Sequence, residues 1–600
     1  MVSSITLGSF ANLNGKNVLT GAGGSGLDSK TIIDALVQAQ QTANVKPLQD
    51  QVTANTNKST ALTQLQTLVT SVQSAANQLR NVPGFNTASQ NAFDYVTTSV
   101  TSNTGVAGSS YVAVSAEPGS TPQSYNISQV QSLAQATTQT SGVFTLPDAN
   151  QPVVSATPGA GQFGAGTITI KGAAITLNAG DSLNLVASKF NAASGQTGIT
   201  ANVVQGASGQ FQLVFIATQT GTANAFDLKS AGTVSDPSGV LAHVAITTKQ
   251  PAADAEFTLD GVDVTRSSNI ISDAVSGLTF TLQQPTPNGT TLTVGVQPDV
   301  TTAKNAIINF MNAYNALKEF QAKQTQLNSD GTYATGSVLA TDNVLQSTAN
   351  SLSGYVSNVI NGLSGTVNSL ASIGITFTDL PQQTDSSGNV TQPYTRNVLT
   401  DDDTQLTNAL TSNFSQVANL FQFSFTSDNP NLAVYTRTNA LAVNNFQLNI
   451  NPGTSTFQAT YSDGSGSHTV NLTATPSSSG TGYTLVGQAG TALSGLTMLY
   501  ASNAAATINA GATQGIGDLV YNYTSNLLDP IGGAIAVEQN AITTSNTQLQ
   551  KSITQQNSLI DSYQSQLLVK FSALEQAISA ANTLMSSFSA QQAAQSGGNG

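Results

Sequence analysis

The chain reads as an α+β multidomain protein: long N- and C-terminal helices form a coiled-coil or helical-bundle leg, with β-rich head domains inserted between them. Three observations predict this. Apolar residues recur at helical spacing from Leu27 to Leu79 and again from Ile535 to Phe588. The stretch between them is dominated by short alternating segments broken by Gly, Asn and Ser. Charge is scarce, with Lys+Arg 17 and Asp+Glu 30 making 8% of the chain, against about 25% in an ordinary soluble domain.

The elements follow in order. Residues 1–26 are Gly/Ser/Asn-rich and read as a flexible tail. In the first helix, Leu27, Ile32, Ile33, Leu36 and Val37 share a face, with Asp28 or Ser29 as N-cap. Beyond Pro47 a heptad-like seam runs through Leu48, Val52, Leu62, Leu65, Val69, Val72, Ala76 and Leu79, weak at Asn55 and Ser59. Asn81-Val82-Pro83-Gly84 ends it, so residues 27–84 are the N-terminal leg helices. Residues 85–300 read as strands, among them Tyr111–Ser115, Thr167–Ile170 and Phe211–Phe215. They divide into one β head domain (85–142 with 245–300) and a second (143–244). Residues 301–424 return to helix, with Ile307, Phe310, Tyr314 and Leu317 at spacings of 3 and 4. Further helices are expected at 340–363 and at 403–421, the latter capped by Asp403. A Ser/Thr/Gly-rich β domain interrupts at 425–512. The C-terminal coiled-coil helices (513–588) carry Ile535, Ile542 and Leu549 at a, and Ile553, Ile560, Leu567 and Leu574 at d. As one helix, 531–588 extends about 87 Å. Polar residues such as Gln539 and Asn546 at d weaken the seam and are candidates to fix its register. Residues 589–600 are again expected to be a flexible tail.

Composition excludes several function classes. A net charge of −13 and a pI near 4.4 argue against nucleic acid, which needs clustered Lys and Arg. Cysteine is absent, so disulfides, thiol nucleophiles and Cys-ligated metals are excluded. His243 and His468 are the only histidines, and each stands without a sequence-near carboxylate partner; no enzyme, metal or cofactor is expected. No apolar run reaches about 18 residues, so no membrane span is expected. Met1–Phe10 lacks the basic and apolar regions of a cleavable leader. Asp401-Asp402-Asp403 reads as helix capping and dipole complement rather than an acid/base cluster. Asp260-Gly261 before Asp263 reads as a hairpin turn rather than a calcium site. The GAGGSG run at 21–26 lacks the Lys-Ser/Thr pair of a phosphate loop and reads as linker.

Four stretches carry a resemblance. These are SGLDSKTIIDALVQAQQTANVKPLQDQV (25–52), AEFTLDGVDVTRSSNIISDAVSGLTFTL (255–282), IINFMNAYNALKEF (307–320), and the run SLASIGITFT (369–378) with NVLTDDDTQLTNAL…VANLF (397–421) and the long 515–588 helix. In this order they resemble the flagellar hook-associated protein 2 family, the filament cap proteins. Asp260, Gly261, Arg266, Asn269, Asp273, Gly277, Tyr314 and Asn315 are the family-motif positions. Residues 167–204, continuing to 224–228, are similar to the flagellin hook IN motif. The 425–512 domain and the spacing before Pro47 are departures from the family pattern.

The resemblance implies a non-enzymatic cap: a homo-oligomeric ring at the distal tip of the flagellum that retains exported flagellin and promotes its polymerisation, as filament elongation and motility require. It implies flagellin and the filament tip as partners, a flagellar type III export apparatus with an export chaperone, and an extracellular location reached without a cleaved signal peptide. Leu62, Leu65, Val69, Val72, Leu79, Ile553, Ile560, Leu567 and Leu574 are expected to pack the leg or continue between subunits. An extracellular adhesin or surface-layer protein is the alternative from another class. A glycoside hydrolase is disfavoured by the absence of Trp.

Overall fold

The computed structural model describes residues 9–13, 16–20, 29–82 and 91–596, except 329, 364, 389, 439, 440, 442 and 479. They form two compact units, Met1–Phe85 with Ala306–Gly600, and Asn86–Asn305. The expected flexible N-terminal tail carries structure: Ser9–Leu13 and Lys16–Thr20 pair as an antiparallel hairpin.

In the larger unit, α1 (Ser29–Gln40) passes through one wide π turn (Gln41–Val45) into α2 (Lys46–Leu79). Pro47 stands at the start of α2, just after the π turn, where its missing N–H takes one donor out of the continuous helical ladder. After Leu79 the backbone turns extended at Arg80. Pro83 and Gly84 of the expected terminator, like Leu27 and Asp28, lie outside the described residues.

The smaller unit is β-rich. Its five-stranded sheet runs in the order Val262–Arg266, Ala255–Leu259, Ser124–Ser132, Leu292–Pro298, Val96–Ser102. A three-stranded sheet of Ile270–Val275, Leu278–Leu282 and Val112–Ala116 shares its core, where Ile127, Phe257, Phe280 and Val294 are buried. A second core is built from residues between Phe144 and Val244. There α3 (Leu183–Ala192), capped by Ser182, and the short α4 (Ser194–Thr197) precede the hairpin of Ile199–Gln205 and Gln210–Ala217. Phe190 of α3 packs on Phe215 with ring centroids 4.9 Å apart.

The remaining helices belong to the larger unit, apart from the first residues of α5 (Val300–Gln324). Ile307, Phe310, Tyr314 and Leu317 of α5 are all buried, so its 3–4 spacing marks the core face. Helix α6 (Asn343–Ser357) is capped by Asp342. Helices α7 (Asp403–Ser412) and α8 (Phe414–Phe421) follow. The cap of α7 is Asp402, which accepts from the Gln405 N–H at 2.9 Å, while Asp403, the expected cap, occupies the first turn. Between Phe423 and Gln514 eight strands form one sheet whose first two strands stand at its opposite edges. Its alternation buries Phe446, Leu448, Ile450, Leu485 and Met498 and turns Asn, Gln and Thr outward. Helix α9 (Ile516–Leu527) leads to α10 (Ala534–Ser596), which at 63 residues is about 95 Å long. It continues through residues 589–596, expected as tail.

Candidate assembly surface

Helix α2 runs beside both α9 and α10, and the side chains fix the alignment. Asn55 donates to the Asn546 Oδ1 at 2.8 Å and to the Ser545 Oγ at 3.2 Å. Near the start of α10, Gln539 faces Thr63 and Gln66; near the start of α1, Ser29 donates to the Glu575 carboxylate. The helices are therefore antiparallel. A small core of Val45, Ile553 and Ile560, with Val37, Leu48 and Val52 against it, lies along this seam.

Leu62, Leu65, Val69, Val72 and Leu79 are all fully buried, and the run is shared between two neighbours: the start of α10, where Gln539 faces residues 63 and 66, and α9, which lies beside the end of α2. Gly517 marks how close the two helices come: a Cβ there would lie 3.4 Å from the Leu79 Cβ and 2.9 Å from the Phe421 carbonyl oxygen.

The C-terminal d positions divide. Ile553 and Ile560 are buried, Leu567 is half-buried, and Leu574 is 45% exposed. Further on, Leu584, Met585 and Phe588 are 61%, 69% and 65% exposed. The sevenfold pattern thus outruns α1, which begins opposite Glu575; the strand Lys16–Thr20 also runs beside α10, yet Leu584, Met585 and Phe588 keep most of their surface exposed.

A charge cluster that the sequence reading missed closes the other end of α2. The Asp518 carboxylate on α9 has no exposed surface and accepts from Arg437 at 2.8 and 2.9 Å, Arg80 at 3.3 Å and Gln514 at 2.9 Å. Arg437 also donates to the Asn81 carbonyl at 2.6 Å. The two guanidiniums cover aromatic faces, Arg80 on Tyr521 at 3.5 Å and Arg437 on Phe423 at 4.1 Å. One carboxylate thereby ties α2, α9 and the eight-stranded sheet together. The only sequence signal was that charge is rare, so each charged residue inside an apolar stretch calls for a partner.

The family-motif positions serve backbone geometry. Asp260 and Gly261, at φ +48° and +83°, form the two-residue turn between Ala255–Leu259 and Val262–Arg266, as a hairpin of this type requires. The Asp260 carboxylate accepts from the Asn126 N–H at 2.7 Å, and Asp263 from the Thr258 hydroxyl at 2.8 Å. Arg266 reaches Asp273 at 3.0 Å and holds its carboxyl below the usual range. Asn269 accepts from the Ala134 N–H at 2.7 Å and donates to its carbonyl at 2.9 Å. Gly277 turns at φ +78°, where a Cβ would strike the Ser120 Oγ at 2.6 Å.

In the larger unit, the Tyr314 hydroxyl meets the Ser353 Oγ at 2.9 Å, and burial pushes it up to about 12. Asn315 clamps the Leu399 backbone, accepting at 2.7 Å and donating at 2.8 Å. His468, expected to lack a carboxylate partner, has Asp463 at 3.1 Å and Ser465 at 2.9 Å. Both meet the same ring nitrogen on an exposed hairpin, so they make a turn network and no proton relay. His243 is exposed. Among the described residues no cluster of three or more His, Asp or Glu could hold a metal, and no helix is long and apolar enough to cross a membrane.

The family model for the flagellar hook-associated protein 2 C-terminus matches residues 252–583, more than half of the chain. The chain belongs to the flagellar hook-associated protein 2 family. The N-terminal model of that family matches residues 25–137, and the flagellin hook IN motif matches 164–219. The B-type flagellar hook-associated protein 2 of Pseudomonas aeruginosa is 26% identical over 380 residues, 58% of this chain and 73% of its own. The flagellar hook-associated protein 2 of Escherichia coli is 26% identical over 371 residues, 59% of this chain and 72% of its own. Among solved structures, three domains of the flagellar cap protein FliD from Escherichia coli align at 23% identity with a TM-score of 0.42, covering 60% of this chain and 90% of that one. As a member of the hook-associated protein 2 family, the chain carries every motif position named above within the matched residues.

Proposed function

We propose that this chain caps the distal end of a bacterial flagellar filament as a homo-oligomeric ring, retaining exported flagellin and promoting its polymerisation at the tip. The observation that carries the reading is the open apolar face of α10 beyond Glu575, on a chain of this family. Leu584 and Phe588 are exposed there at a and d positions, with Met585 beside them and Leu574 just before, and a row of large apolar side chains on an uncharged helix end is a surface that needs a partner. Filament subunits or neighbouring copies are the partners in this reading. Export through the flagellar type III apparatus, with a chaperone on the C-terminal helix, and an extracellular site of action belong to the same proposal.

The test is flagellin partitioning in cells lacking the chain, with medium monomer compared with cell-attached filament by immunoblot. Flagellin lost to the medium, with hooks but no filaments, is the expected result. Filaments of normal length and number would overturn it.

A further inference from the structure

Three charged side chains from three elements meet where α6 starts. The Asp342 side chain, 2% exposed, accepts from the backbone N–H groups of Val344 and Leu345 at 2.9 and 3.1 Å and from the Lys58 ammonium of α2 at 3.0 Å. The same ammonium lies 2.5 Å from Glu538 of α10, whose side chain is 21% exposed. Glu538 and Asp342 are themselves within hydrogen-bonding reach. Among the described residues, the other charges on these elements are engaged elsewhere or lie turns away. Lys46 pairs with Asp50, Glu575 with Ser29 and Asp518 of α9 with its two arginines. Helix α6 carries none, and the next charge on α10 is Lys551.

One ammonium neutralises one carboxylate. With both carboxylates ionised the cluster holds an uncompensated negative charge in a half-buried place; with one proton between them the repulsion becomes a hydrogen bond. Asp342, with three donors aimed at it, keeps its charge, and Glu538 is the group that takes the proton. We infer that Lys58, Asp342 and Glu538 form a proton-operated latch, fastening the start of α6 to the α2–α10 pair more tightly in mildly acidic medium than at neutral pH.

The titration directions agree. Burial first raises Glu538; the Lys58 ammonium pulls it down, but burial together with the hydrogen bond and charge of Asp342 outweighs that and leaves it above its ordinary 4.5. Burial raises Asp342 as well, but hydrogen bonds from Glu538, Lys58 and the Leu345 N–H outweigh it and hold it below 3.8. The Glu538 contribution is complete below 4.5 and is lost as pH rises through its raised value. The Asp342 contribution is complete above 3.8 and is lost only as pH falls through its lowered value. Lys58 stays charged throughout this window.

The test compares the full chain with Glu538→Gln, whose amide donates permanently. Two readings are taken from acidic to neutral pH, on the side above 4.5 to which the group is raised: the thermal midpoint, and exchange protection of the Val344 and Leu345 amides, corrected for intrinsic rate. The expected result is a several-fold loss of protection at those amides on going to neutral pH in the parent, absent in Glu538→Gln, with a midpoint difference of a few degrees between the two at neutral pH that closes at acidic pH. Titration of other groups shifts both proteins alike and cancels. Parallel pH profiles for the two proteins would overturn the latch. If Glu538→Gln fails to fold, Asp342→Asn, which keeps a capping oxygen, supplies the comparison: an undiminished pH slope there overturns the latch equally.

Discussion

Individual side chains decide more in this molecule than its composition suggests. Where charge is this sparse, each buried ion has few substitutes, and Asp518 is the clearest case. Replacing it with alanine leaves the Arg80 and Arg437 guanidiniums buried without a counter-charge. Breaking a buried pair in this way costs about 3–5 kcal/mol, so the expected outcome for Asp518→Ala is a fall in urea-unfolding free energy of that size. A loss under about 1 kcal/mol would mean that the arginines escape to solvent. Gly277→Ala is a second case, forcing a Cβ into a left-handed turn and against Ser120. It is expected to cost about 1–2 kcal/mol, read as a lowered thermal midpoint with the fold unchanged by circular dichroism. These residue roles were unevenly legible. Asp260-Gly261 declared its turn because few dipeptides suit two positive φ angles. The partners of Asp518 were hidden because Arg80 and Arg437 lie 438 and 81 residues from it, a distance no local pattern spans.

Among the helices, the seam of α10 divides into a part covered within the chain and an open part, and substitutions should separate them. Ile553→Asp places a charge in the closed core with Val45 and Ile560, at a cost of about 3 kcal/mol or more. Leu574→Asp and Phe588→Asp fall on the open face, where a surface change is worth roughly 0.5 kcal/mol. The expected outcome is that Ile553→Asp lowers the melting temperature of the isolated chain, while the other two leave it unchanged and abolish filament growth in a complementation assay. Normal growth with Leu574→Asp and Phe588→Asp together would remove the open face from the assembly mechanism. Leu567, half-buried, is expected to fall between. The antiparallel register can be checked directly because no native cysteine interferes: Asn55→Cys with Asn546→Cys should cross-link on oxidation, and Asn55→Cys with Ile560→Cys, about four helical turns out of register, should not. The heptads themselves were plain in the sequence, since period and length both spoke for helix. What the pattern did not give is which apolar stripe meets which. Leu62–Leu79 and Ile553–Leu574 look like natural partners, yet helix lengths and the polar pair Asn55–Asn546 set a register that sends the first run to the start of α10 and to α9. The N-terminal hairpin was missed for a different reason: its Gly/Asn/Ser composition is what turns and tails have in common.

At the scale of the whole molecule, surface electrostatics contribute little. Lys30–Asp34, Lys46–Asp50 and Lys323–Glu319 are exposed pairs one turn apart, each worth about 0.3–0.5 kcal/mol, while the pairs at Asp518 and Asp342 are shielded from salt by burial. Raising sodium chloride about tenfold from low ionic strength is therefore expected to move the melting temperature by less than about 2 °C. A large salt-induced drop would mean that exposed ion pairs matter more than their geometry allows. The antiparallel pairing of α1 and α2 with α10 also has a consequence in time. Ser29 touches Glu575 across 546 residues, and Asn55 touches Asn546 across 491. Closing contacts so distant along the chain is slow, because the loop must be gathered before any contact rewards it. A chain that emerges end-first, from a ribosome or any narrow conduit, has one half of this clasp in hand and must wait for nearly all the rest before fastening it. Until then the first helices have no lasting partner, and fastening is a late step that only a completely delivered molecule can take.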